Sequence, residues 1–133
     1  MRPAPYEDQR RFQMYSVKYR GTPEYLLIYE ALKKAARERG LLTYSEVART
    51  MGLPPSGHHM SREVGQLLGE ISQTEHEQGR PMLSALVCST SGGVGAGFFR
   101  LARDLSKLRE GEDKAVFLAA EKEAVYSAWS REP

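Results

Sequence analysis

Apolar residues recur at helical spacing through most of the chain. Tyr25, Ile28, Tyr29, Leu32, Ala35 and Ala36 fall on one stripe. Thr22-Pro23-Glu24 marks its start, with a side-chain cap, a proline whose missing N–H costs nothing, and an acid in the positive first turn. The pattern predicts a first helix over about residues 23–39, closed by Gly40 in a left-handed cap. A shorter second helix follows Thr43-Tyr44-Ser45-Glu46, a capping box in which the Thr43 hydroxyl and the Glu46 carboxylate each satisfy an orphan N–H. It ends by Gly52, because Pro54-Pro55 forbids continuation, and it is short enough to depend on packing against its neighbours. A third helix begins near residues 56–58 with the stripe Met60, Val64, Leu67, Leu68 and Ile71, and either breaks at Gly69 or runs on to Gly79. Its polar face carries His59, Arg62, Gln66 and Gln73.

The apolar run 82–89 predicts a buried strand, Ser89-Thr90-Ser91-Gly92-Gly93 a turn, and residues 94–97 a return strand. Phe98, Leu101, Ala102, Leu105 and Leu108 predict a helix ending near Gly111, and residues 113–130 a last one bearing Phe117, Val125 and Trp129. The expected fold class is therefore mainly α with a small β-hairpin (α+β). Its order is that of a winged helix-turn-helix with extra C-terminal helices, in which the motif's second helix enters the major groove. Residues 1–21 form a basic and aromatic arm, 22–111 the winged helix-turn-helix domain, and 112–133 a C-terminal helix that packs on the domain or serves a homodimer or a protein partner.

The composition narrows the classes. A chain of 133 residues is one domain, and its single Cys88 excludes an internal disulfide. The longest apolar runs, 25–29 and 83–88, are far short of the ~20 residues that cross a membrane. With no signal-peptide core at its start, the chain is expected to be soluble and cytoplasmic, nucleoid-associated if bacterial, with no membrane partner. The net charge of +2 conceals an asymmetry: residues 1–62 hold eleven Lys/Arg against six Asp/Glu, residues 63–133 eight against eleven. A polyanion would meet the first half before the second.

Three segments then suggest a family. Leu42-Thr43-Tyr44-Ser45-Glu46-Val47-Ala48, Gly52-Leu53-Pro54 and Ser61-Arg62-Glu63-Val64-Gly65 resemble the DNA-binding domain of alkylguanine-DNA alkyltransferases and alkyltransferase-like proteins. Those families carry a Thr-Tyr-Gly-Glu-Val/Ile-Ala helix, a Gly-x-Pro turn and an Arg-Ala-Val-Gly recognition helix. The resemblance spans about residues 41–98 and implies that Tyr44 touches a phosphate while helping to turn out a nucleotide, and that Arg62 fills the vacated stack. Where the family has its reactive Pro-Cys-His-Arg, this chain has Leu83-Ser84-Ala85-Leu86. Both the nucleophile and its histidine are missing, and a Ser84 hydroxyl without a base is a poor substitute.

Other constellations are weaker. Cys88 lies in an apolar run and reads as a small buried hydrophobe. His58, His59, His76 and Cys88 match no zinc-ligand spacing. The Gly92–Gly97 stretch lacks the Lys-Ser/Thr of a phosphate loop and reads as a turn needing positive φ. The expectation is thus a non-enzymatic DNA-binding protein without cofactor, metal or catalytic residues, whose partner is duplex, distorted or damaged DNA. His59, Ser61, Arg62 and Gln66 would face the DNA, Tyr44 and Arg49 contact phosphate, Ser91 and Gly93 form the wing, and Arg10, Arg11, Lys18 and Arg20 add backbone contacts from the arm. The alternatives are a protein-interaction module regulating a larger nucleic-acid enzyme, and an enzyme acting on a flipped base through Ser84 or the glycine loop.

Overall fold

The structure, a computed structural model, describes residues 17–90 and 93–130. Arg10, Arg11 and Ser91 lie outside the described residues. The elements are α1 (Pro23–Arg37), β1 (Leu42–Thr43), α2 (Tyr44–Thr50), α3 (His58–Glu77), a 3-10 turn (Leu83–Leu86), β2 (Val87–Cys88), α4 (Ala96–Asp104) and α5 (Lys114–Ser130). The molecule is mainly helical.

Each helix begins and ends for local reasons. The Thr22 hydroxyl accepts the Tyr25 N–H at 3.2 Å and opens α1. Its end differs from expectation: Arg39, with φ 57°, takes the left-handed position, and the Gly40 N–H returns to the Ala35 carbonyl at 2.8 Å. The Arg39 guanidinium pairs with Glu123 at 2.7 Å and lies 4.6 Å from the Tyr126 ring centre. The capping box of α2 is complete, with Glu46 N–H to Thr43 Oγ1 at 3.1 Å and Thr43 N–H to Glu46 Oε1 at 2.8 Å. The α2–α3 turn uses Gly52 at φ 75° and Gly57 at φ 105°, conformations that favour glycine. Gly69 does not break α3, which runs 20 residues, about 30 Å.

The expected β-hairpin does not form among the described residues. Residues 83–86 wind into a 3-10 turn, and the two residues of β2 pair in parallel with β1, Leu42 opposite Val87 and Thr43 opposite Cys88. The return strand is absent too, since α4 begins at Ala96. The physical reason is that residues 82–88 are buried throughout, so the run shows no alternation to separate a strand from a helical turn. Its strand partner, moreover, lies before α2 in the chain. Where the hairpin was expected, the Ser89 N–H donates to the Gly93 carbonyl at 2.8 Å.

The main core joins α1, α2, α3, the 3-10 turn and α5 through Leu32, Val47, Val64, Ile71, Leu83 and Val125. A smaller cluster of Met82, Phe98, Leu101 and Leu105 seats α4 beside it. Tyr126 and Trp129 of α5 are buried in the main core. Among the described residues no helix is long and apolar enough to cross a membrane.

Candidate nucleic-acid interface

Burying Met60, Val64, Leu67 and Ile71 against the core turns the opposite side of α3 outward. His58, His59, Ser61 and Arg62 are exposed there in its first turns. The Arg62 guanidinium reaches no closer than 3.9 Å to Glu63 and is largely in solvent. Gly65, one turn further, has no atom within 4 Å of where a Cβ would stand. Of the four carboxylates on α3, Glu63, Glu70 and Glu75 are buried, and Glu77 in the last turn is exposed. The outward face of the first half of α3 is therefore cationic and neutral, with no exposed acid.

Glu63 and Glu70 are covered by a strap, residues 17–20. Glu70 accepts the backbone N–H groups of Lys18 (2.7 Å), Tyr19 (2.9 Å) and Arg20 (2.8 Å), and the Gln66 amide at 2.6 Å. Glu63 accepts the Lys18 ammonium at 2.7 Å and the Tyr19 hydroxyl. These bonds hold the Glu63 carboxyl below the ordinary range, Lys18 first and Tyr19 next. Burial and the bond to Glu63 push the Tyr19 hydroxyl up to about 12. Gln66, expected to face DNA, thus has one amide donor committed to Glu70. Lys18 and Arg20 have exposed side chains, with their backbone N–H groups held against α3 by Glu70.

Tyr44, the first residue of α2, is half-buried, and its hydroxyl accepts the Gly95 N–H at 2.7 Å. Burial raises its ionisation above the usual tyrosine value. The contact fastens the start of α4 to the start of α2. It also explains Gly95, whose φ is −75° and not positive as expected: a Cβ there would come 3.1 Å from the Tyr44 oxygen. Arg49 is exposed on α2 and makes no ion pair among the described residues. Gly93 is exposed on the loop that precedes α4.

Two of the competing positions, Ser84 and Cys88, are buried. The Ser84 hydroxyl is buried 2.7 Å from that of Ser72, and Ser72 Oγ also accepts the Ser84 N–H. Cys88 is a buried free thiol 3.7 Å from the Leu42 carbonyl. Among the described residues no cluster of His, Cys, Asp and Glu could hold a metal. Trp129 of the last helix is buried.

Sequence reasoning missed Glu63, Glu70 and Tyr19. The usable signal was two acids seven residues apart, Glu63 and Glu70, flanking Gln66 on a face otherwise polar and basic, with Lys-Tyr-Arg upstream to cover them. No protein-family model, curated protein or solved structure matches the chain.

Proposed function

We propose that this chain is a non-enzymatic DNA-binding protein that uses α2, the Gly52–Gly57 turn and α3 as a helix-turn-helix, with the segment between β2 and α4 in the place of a wing. It would be similar to an alkyltransferase DNA-binding domain without alkyl transfer. The observation that carries the reading is the outward face of α3, where His58, His59, Ser61 and Arg62 are exposed while Glu63 and Glu70 of the same helix are buried. A major-groove helix needs that distribution, because an exposed carboxylate would meet phosphates and acceptor-rich base edges. In this reading Arg62 contacts bases or fills a vacated stack, Arg49 and Arg20 meet phosphates, and Tyr44 positions the start of α4 against α2. The burial of Ser84 against Ser72 supports binding over group transfer, since the partner of its hydroxyl there is another hydroxyl, 2.7 Å away, and not a base.

Binding of a fluorescent duplex measured at several salt concentrations tests this. The logarithm of the association constant should fall against the logarithm of salt with a slope of about −3 or steeper, as expected for several neutralised phosphates. Arg62→Ala should weaken binding about ten-fold or more. Salt-independent association, or an unchanged affinity for Arg62→Ala, would contradict the proposal.

A further inference from the structure

The helix offered to DNA carries repulsive charges of its own. Glu63 and Glu70 lie two turns apart on the side of α3 that adjoins His59 and Arg62, and bare carboxylates there would oppose a phosphate backbone across less than a Debye length of about 8–10 Å. The strap deals with each differently. Glu70 sits in a concavity of three consecutive N–H groups, those of Lys18, Tyr19 and Arg20, which compensate its charge with backbone dipoles. Glu63 receives a full positive charge from Lys18 and a hydroxyl bond from Tyr19. The Lys18 side chain nevertheless remains 55% exposed, while that of Glu63 is 10% exposed. Seen from outside, an acidic flank of α3 has become a basic one.

We propose that the 17–20 strap is a charge-inverting part of the DNA-binding face, and that Lys18 is a positioning residue which acts mainly by cancelling Glu63 rather than by contacting phosphate. This rests on the DNA-binding reading above. The two roles of Lys18 differ in one respect: a phosphate contact keeps its worth whatever stands at 63, whereas a cancelling charge loses it once the carboxylate is gone. A double-mutant cycle separates them.

Duplex affinities of the full chain, of Lys18→Ala, of Glu63→Gln and of the double variant are to be measured at one low salt concentration. Lys18→Ala should weaken binding about five-fold or more, Glu63→Gln should stay within about two-fold of wild type, and the double variant should return to within about two-fold. Equal weakness of Lys18→Ala and the double variant would overturn the inference and make Lys18 a phosphate contact. An unchanged Lys18→Ala affinity would overturn it as well. If Lys18→Ala lowers the melting temperature, Lys18→Met, which keeps the aliphatic stem, replaces it in the cycle with the same expected outcomes. A wild-type chain showing no salt-dependent affinity would remove the DNA-binding reading itself, a failure visible before any variant is compared.

Discussion

Buried carboxylates and phenols are where this fold commits its polar chemistry. Glu75 is wholly buried and gripped by the Arg80 guanidinium through two bonds of 2.9 and 2.8 Å and by the Tyr29 hydroxyl. Glu121 accepts the Met82 N–H at 2.9 Å and lies 3.0 Å from the Lys107 ammonium. Little of this was legible in the sequence. Glutamates on a polar helical stretch read as solvated, and their partners lie far off in the chain, Tyr29 being 46 positions from Glu75 and Lys18 45 from Glu63. The phenols make the network testable. Burial, above all, raises the ionisation of Tyr19, Tyr29, Tyr44 and Tyr126 over the ordinary 10.0, with Tyr19 at about 12. The native state then keeps protons that the unfolded chain gives up, so this stabilisation is complete below pH 10.0 and is lost as pH rises through the native values. In an alkaline titration followed by phenolate absorbance and circular dichroism, these four tyrosines should ionise late and together with loss of helix. Their ionisation near the ordinary value with the helices intact would contradict the packing described.

At the level of elements, legibility followed the range of the interactions that decide each one. α1 and α2 were readable because Thr22-Pro23 and the Thr43–Glu46 box start helices through contacts within four residues. The 3-10 turn and β2 were not, because the tertiary core and a parallel partner 45 residues earlier decide their form, while a continuous apolar run fits several conformations. Within α3, Gly65 is the residue at odds with local propensity. Nothing packs over it, so an alanine would fit, and helix propensity alone favours alanine by about 0.5–1 kcal/mol. On the proposed face, the absence of a Cβ lets a DNA backbone or groove wall approach the helix. Gly65→Ala should therefore raise the stability in urea by about 0.5–1 kcal/mol and weaken duplex binding. A variant both more stable and equally tight in binding would show that DNA does not approach at this position.

For the whole molecule, the charge asymmetry of the sequence is real but overstates the acidity of the second half. Glu63, Glu70, Glu75 and Glu121 all belong to that half and are all buried. Their partners come from both halves: the strap covers Glu63 and Glu70, while Arg80 and Lys107 serve Glu75 and Glu121. Arg49, Arg62, Lys18 and Arg20 with two histidines remain outward beside α2 and the first turns of α3, together with the acid Glu46, whose carboxylate caps the start of α2, and this arrangement emerges only when the chain is folded. The proposed interaction face is set by α2, the first half of α3 and the strap. Backbone amide shifts recorded while a short duplex is titrated into the labelled protein test that directly. The shifts should concentrate at residues 18–20, 44–49, 58–66 and 93–95, leaving the outer faces of α1 and α5 unchanged. Shifts confined to α1 or α5, or none at any duplex concentration, would contradict the account.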